Sequence, residues 1–410
     1  MKKIFNFALY DFANSAFTTI IITFIFATYF AKQIAPNPIL GQSYWGWTIG
    51  ITGFLVAIIG PAAGSFADKK NKIVFFTRCF SLLCIFFTAL LWFSKPSPSY
   101  LLYTLVIVGI ANLFYELSLI FYNSLLKDIS SKKNLGKSSG FGFALGYIGG
   151  VIILLISIIL FIDTESLPFG LTKEESQNIR AIALLVSFWF LIFSVPFLFF
   201  AIKETKKKIS KSISSNLIDL KKLVWNKKLN VLGKFLIARM LYADGLNAII
   251  VMGGIFAVGV FNLEIKELLK LSVIMNITAF IGAFIGGIAN DKYGSKIVII
   301  FSLVGLIFSS IAILFMYSKL GFFFLAAING LFIGPIQSAS RVVITSILNK
   351  NNQGKGFGLF ATSGKLTSFL GPLLVSTVTF LTDSQRLGFS AAIILLLAGL
   401  IILLNIKKIN

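Results

Sequence analysis

The chain has 410 residues, of which 57% are hydrophobic, 15% aromatic and only 13% charged, with a formal net charge of +22 and no histidine. Soluble domains carry about a quarter charged residues, so this composition excludes a soluble enzyme or binding module. The excess lysines fall between apolar runs rather than on one polar face, which argues against a nucleic-acid partner.

Twelve apolar stretches, numbered here as helices 1 to 12 in chain order, are expected to cross a bilayer: 8–31, 44–67, 72–94, 99–126, 138–162, 180–202, 230–261, 268–290, 296–317, 321–348, 355–381 and 386–406. Most match a hydrocarbon layer of ~30 Å at 1.5 Å per residue. They are expected to be helical, because lipid offers backbone polar groups no partner. The opening run is too long for a signal peptide and contains Asp11 and Asn14, so it reads as a retained first helix. Between helices 6 and 7 lies the longest polar stretch, which predicts an all-α membrane protein with an N-terminal six-helix bundle (1–202), a basic linker (203–228) and a C-terminal six-helix bundle (229–410). In the linker, Ile209, Ile213, Leu217, Leu220 and Val224 have the spacing of an amphipathic helix lying on an anionic membrane surface; a partly disordered tether is the alternative reading.

Lysines such as Lys69, Lys70, Lys127, Lys132, Lys133, Lys292, Lys350 and Lys407 share one side with both termini, and the opposite loops hold fewer. The positive-inside rule then places both termini in the cytoplasm, and the short loops suit a bacterial inner membrane. Part of the lysine excess also fits the codon bias of an AT-rich genome, so its sidedness carries the information. Cys79 and Cys84 read as apolar filler inside helix 3; no metal site and no cofactor are expected.

The second half echoes the first, as parallel repeats in a transporter do. Tyr10, Asp11 and Asn14 recur as Tyr242, Asp244 and Asn247. Gly64 to Asp68 followed by lysines recurs as Gly287 to Lys292, and Gly140-Phe141-Gly142 recurs as Gly356-Phe357-Gly358. Helices 2, 5, 8 and 11 hold five, five, three and four glycines, whereas helices 3 and 6 hold none. Small residues let helices approach closely, so these four are expected to form the sliding contact between halves, with Gly142/Gly146 and Gly282/Gly286 as candidate GxxxG pairs. Pro61, Pro335 and Pro372 are expected to bend helices 2, 10 and 11.

The glycine–aspartate–lysine elements at 64–72 and 287–296 resemble the loop motif of the major facilitator superfamily. More narrowly, Tyr10-Asp11-Phe12-Ala13-Asn14-Ser15-Ala16-Phe17 resembles the signature of its unknown-major-facilitator family, which includes the autophagy-related vacuolar amino-acid effluxers. The same holds for 121–126, 144–150, Asp244-Gly245-Leu246-Asn247, 337–341 and 363–372. The resemblance implies a twelve-helix carrier in which helices 1, 4, 7 and 10 line a central cavity, and it implies small amino acids as cargo. The short bacterial-type loops depart from the fungal members, so a vacuolar role does not carry over.

Ionisable groups inside a bilayer cost at least ~2.5 kcal/mol each, so each is expected to be functional or paired. The set is Asp11, Glu116, Arg239, Asp244, Arg341 and Lys365. An amino acid needs one partner of each sign: Arg341 or Lys365 for its carboxylate, with Arg341 offering a bidentate fork, and Asp11 or Asp244 for its amine. Asn14 and Asn247 are candidate hydrogen-bonding residues of the same site. Without histidine, proton coupling must use a carboxylate, and Glu116 is the candidate because burial favours its protonated form. Fixed interhelix salt bridges are the bland alternative for the set. Asp68 and Asp291, at loop edges, are expected to cap helix ends or to gate. Tyr10 and Tyr242 read equally as site residues or interfacial anchors.

No GxxxxGK nucleotide loop and no catalytic constellation occurs, so neither ATP-driven pumping within this chain nor enzyme chemistry is expected. The reading is a monomeric secondary carrier of a small polar solute, with protons as a coupling partner. A lipid-handling scramblase and a transporter-like sensor are the competing classes.

Overall fold

The computed structural model describes residues 2–164, 166–201 and 221–406. It contains twelve membrane-length helices: helix 1, Lys2–Ile34; helix 3, Ile73–Phe93; helix 4, Pro98–Ile129; helix 5, Lys132–Ile162; helix 6, Glu174–Phe200; helix 7, Val231–Phe261; helix 9, Ser295–Phe315; helix 10, Lys319–Ile347; and helix 12, Gln385–Leu404. Helix 2 is Pro38–Lys70 and helix 8 is Ile265–Tyr293. Helix 11 comes in two pieces, Gln353–Lys365 and Leu370–Thr382.

Local chemistry sets the boundaries. The Asn37, Asn230, Ser318 and Ser384 side chains accept the orphan N–H of the first turn of helices 2, 7, 10 and 12. Glu264 and Glu267 form a reciprocal capping box at the start of helix 8. Asn71, Asn262 and Asp383 end helices 2, 7 and 11 in the left-handed conformation, which short polar side chains tolerate. Helix 1 starts six residues before its expected edge and widens to π-type turns at Phe17–Phe24 and Phe30–Ile34, a feature the apolar pattern does not encode. Of the linker, 203–220 lies outside the described residues, and with it Ile209, Ile213, Leu217 and Leu220. Its end folds as a small hairpin, Trp225–Asn226 against Lys228–Leu229.

Helices 1–6 and helices 7–12 form two six-helix bundles, each mostly around its own buried cluster, with Val56, Leu117 and Ile120 of the first half packed into the second cluster and Val342 of the second half into the first. One core gathers Phe7, Tyr10, Phe17, Tyr122 and Phe190, the other Phe235, Tyr242, Leu303, Ile336 and Leu396. Tyr10 and Tyr242 are core residues rather than interfacial anchors. The Tyr10 hydroxyl bonds Ser81 at 2.7 Å and Ser118 at 3.1 Å, and the Tyr242 hydroxyl bonds Ser340 at 2.7 Å.

Between the halves, helix 2 packs on helix 11 and helix 5 on helix 8. Glycine makes this approach possible: a Cβ added at Gly64 would sit 2.1 Å from the Gly354 carbonyl oxygen, and one at Gly140 would sit 2.6 Å from the Gly287 Cα. The expected GxxxG pairs do something else. Gly142 makes room for Asp11 and Arg341, Gly146 faces helix 1, and Gly282 and Gly286 face Leu331 and Pro335 of helix 10. They tighten packing mainly inside each half, while other glycines of the same helices face across.

Candidate transport site

At the end that carries both termini, the contact between halves is sealed by carboxylates on helix N-termini. Asp68, ending helix 2, accepts from the Gly354 and Lys355 amides of helix 11 at 3.0 and 2.8 Å. Asp291, ending helix 8, accepts from the Gly136 and Lys137 amides of helix 5 at 2.6 and 2.9 Å. Each satisfies orphan donors where the helix dipole is positive, and each does so across the seam. Lys127 adds bonds to the Thr345 and Leu348 carbonyls, and Lys350 pairs with Asp128 at 2.8 Å.

Deeper in, Arg341 of helix 10 is 1% exposed. Its Nη1 donates to Asp11 Oδ2 at 3.1 Å and Asn123 Oδ1 at 3.0 Å, its Nε to Ser139 Oγ at 2.9 Å, and its Nη2 to the Ser139 carbonyl at 2.8 Å. Four bonds to helices 1, 4 and 5 use four of the five guanidinium N–H donors in this state, so a bidentate grip on a solute carboxylate would need some of them released. Glu116 does not stand alone either: its Oε1 lies 2.7 Å from Lys365 Nζ of helix 11, with the two side chains 14% and 32% exposed. Both pairs join the two halves.

Beyond this level the halves separate. Among the described residues, no hydrogen bond or ion pair crosses between them farther from the termini than Glu116–Lys365 and the 3.3 Å bond from the Tyr147 hydroxyl to Gln337. On the far halves of helices 2 and 7, Gly46, Gly50, Gly253 and Gly254 have nothing within 4 Å of a built Cβ. Among the described residues, polar contact between the halves is confined to the termini end, with Glu116, Lys365, Tyr147 and Gln337 at the level where it stops.

Three prolines explain much of the local backbone, because each removes the donor for the carbonyl four residues earlier. Before Pro61, the Ala57 carbonyl accepts instead from the Thr362 hydroxyl across the seam at 2.8 Å. Before Pro335, the Leu331 carbonyl packs so closely on Gly282 that an added Cβ there would lie 1.9 Å away. Helices 2 and 10 continue through both. Before Pro372, the Ser368 carbonyl accepts from Asn247 Nδ2 of helix 7 at 2.8 Å, and here helix 11 opens over Leu366–Phe369. A bend was expected; the structure has a break. Asp244, one turn before Asn247, is 2% exposed, and its Oδ1 makes no hydrogen bond. Its counterpart Asn14 accepts from the Tyr115 hydroxyl at 3.3 Å.

A family profile described as "Vacuole effluxer Atg22 like" matches residues 127–408. The chain belongs to this Atg22-like family. An uncharacterised MFS-type transporter, YxiO of Bacillus subtilis, is 26% identical, covering 97% of this chain and 93% of its own. Autophagy-related protein 22 of Yarrowia lipolytica is 25% identical over 66% of this chain and 50% of that protein. Among solved structures, the MFS transporter FucP in its outward conformation aligns with a TM-score of 0.76 at 13% identity, covering 99% and 98% of the two chains. A bacterial homologue of the iron transporter ferroportin in an outward-facing state gives 0.75 at 10% identity. The likeness carries the fold, that of the major facilitator superfamily, and the family makes this a multi-pass membrane transporter rather than an enzyme.

Within this Atg22-like transporter, the expected site residues separate into layers. Asp68 and Asp291 sit at the termini-end seal, Asp11 and Arg341 form one buried pair above it, Glu116 and Lys365 form the next, and Asp244 and Asn247 lie beside the opened turn of helix 11. Reading the sequence for charges passed over Ser139, Thr362 and Thr367. For Thr362 a signal existed: Pro61 leaves the Ala57 carbonyl without its helical donor. Only the pairing of helices 2 and 11 identifies the replacement.

Proposed function

We propose that the protein is a secondary carrier of small zwitterionic solutes, amino acids foremost, working by alternating access as a monomer in a bacterial cytoplasmic membrane. With both termini cytoplasmic, the arrangement described here is the outward-open one. The observation that carries the reading is the Glu116–Lys365 pair: a base and an acid 2.7 Å apart, partly exposed, joining the halves at the floor of the open side. A solute with one ammonium and one carboxylate can insert between them and replace their mutual contact with two of its own. Breaking a pair without replacement leaves two uncompensated charges, whereas exchanging partners conserves the electrostatics, so cargo lowers the barrier to parting the halves. This assigns Lys365 to the solute carboxylate and Glu116 to its amine, with Glu116 also the group on which any coupled proton would travel. Arg341 and Asp11 act as an inter-half latch, and Asp68 and Asp291 as gating caps.

The test is a thermal-shift screen of the purified protein against amino acids, sugars, nucleosides and organic acids, followed by proteoliposome uptake of any hit with and without a pH gradient. A stabilising zwitterion that is taken up is expected, with uptake lost in Glu116→Gln and Lys365→Gln protein that remains folded. Stabilisation by sugars or nucleosides alone, or no hit in any class, sinks the amino-acid reading.

A further inference from the structure

Of the three intramembrane acids, Asp11 has Arg341 and Glu116 has Lys365, whereas Asp244 has no ion-pair partner among the described residues. The nearby base on its own helix, Arg239, forms no ion pair with it: its Nη1 donates to the Phe360 carbonyl at 2.5 Å and to Ser363 Oγ at 2.7 Å. An ionised carboxylate 2% exposed, with an unbonded oxygen, is costly to keep in a membrane protein unless a positive species shares its site.

A second observation lies on the neighbouring helix. The buried Thr367 hydroxyl makes no hydrogen bond of ordinary geometry, and the group it lies near is the Asp244 carboxylate, with which it interacts. Thr367 belongs to the opened turn Leu366–Phe369, where backbone bonds tighten to the three-residue spacing, from Ser368 N to the Lys365 carbonyl and from Leu370 N to the Thr367 carbonyl. The rest of helix 11 presses this turn onto helix 7: a Cβ at Gly371 would sit 2.4 Å from the Asp244 carbonyl oxygen. Asn247 holds the Ser368 carbonyl of the turn.

We propose that Asp244 Oδ1, Thr367 Oγ1 and the peptide carbonyls of the opened turn of helix 11 bind a small monovalent cation, with sodium as the fitting member. All the donors are oxygens, which suit a hard ion. The single carboxylate neutralises one positive charge and no more, so a divalent ion would leave the buried site charged. The Asp244 side chain, 2% exposed, is far less accessible than the Glu116–Lys365 pair, which separates a dehydrated ion from an organic ammonium. Discontinuous membrane helices commonly place such ions beside the solute site. Lys365 is the last residue before the opened turn, so an ion that orders the turn also sets the position of the lysine assigned to the solute carboxylate. In this respect the inference rests on the carrier reading; the ion site itself does not.

The test uses the purified full-length protein in detergent, with thermal unfolding followed as sodium chloride replaces choline chloride at constant ionic strength and fixed pH. A ligand that binds only the folded state raises its stability with concentration. Sodium is expected to raise the unfolding temperature of the wild type saturably. Asp244→Asn and Thr367→Val are each expected to lose that response. If Asp244→Asn protein fails to fold, Thr367→Val decides the matter. A wild type indifferent to the exchange, or a full sodium response in Thr367→Val or in folded Asp244→Asn protein, overturns the site. Sodium binding without amino-acid uptake would leave the site standing and remove the carrier reading; uptake without any sodium response would do the reverse.

Discussion

Asn247 has a job that its residue type alone does not announce. Its amide replaces the donor that Pro372 lacks, so Asn247→Ala leaves the Ser368 carbonyl of helix 11 unmatched in a setting poor in water. The expected cost is about 1–3 kcal/mol, read as a lower unfolding temperature in detergent. Asn14 occupies the same place in the first-half repeat but faces Tyr115 rather than a broken helix, and Asn14→Ala is expected to cost less. Arg341 is the other residue with a heavy local role. Removing its side chain strands Asp11, 3.1 Å away, among buried groups. Arg341→Ala is expected to destabilise the protein by about 3–5 kcal/mol. Adding Asp11→Ala is expected to restore part of that loss, a double-mutant coupling that thermal unfolding measures. A solute-binding role alone would not produce this coupling in the absence of cargo.

At the scale of helices, much was legible in the sequence. Apolar length fixed the number of spans, and the glycine-rich helices 2, 5, 8 and 11 were recognisable as the contact between halves. What stayed hidden depends on which face of a helix meets which neighbour. Gly142 and Gly146 have the spacing of a close-packing motif, but only the packing reveals that they meet Asp11 and helix 1. Likewise three prolines look equivalent in sequence, and what differs is what meets each freed carbonyl: a donating hydroxyl for Ala57, a donating amide for Ser368, and for Leu331 only the close-packed face of Gly282. The inter-half glycines carry their own prediction. A leucine at Gly140 would place atoms inside the space of Gly287 and Ala283, so Gly140→Leu is expected to prevent closure at the termini end while leaving each bundle folded. Spin labels on the far ends of helices 2 and 8 are then expected to report a shorter separation than in the wild type, and uptake is expected to vanish.

For the whole molecule, the question is what holds it closed at one end while the other is open. The two bundles have largely distinct cores that share only a few residues, so their relative position depends on a limited set of contacts at the termini end, and two of these are related by the internal repeat. Asp68 caps helix 11 and Asp291 caps helix 5, each carboxylate accepting two backbone N–H bonds from the opposite half. These bonds exist only while that end is closed, so they stabilise one conformer and not the other, which is the condition for moving an equilibrium. An asparagine in place of either acid keeps the shape but offers one acceptor oxygen and turns an N–H₂ group toward an N–H donor. Bonds to a charged group are worth about 1.5–3 kcal/mol, so Asp68→Asn or Asp291→Asn is expected to move the ratio of conformers by about tenfold or more, since 1.4 kcal/mol is a factor of ten. The two caps share no partner, and effects at independent sites add. The double variant is therefore expected to shift the ratio by about the product of the two single shifts, read as far-end spin-label distances moving from the open toward the closed population. A double variant no more shifted than either single one would mean that the two seams do not open independently, and that one cap acts through the other.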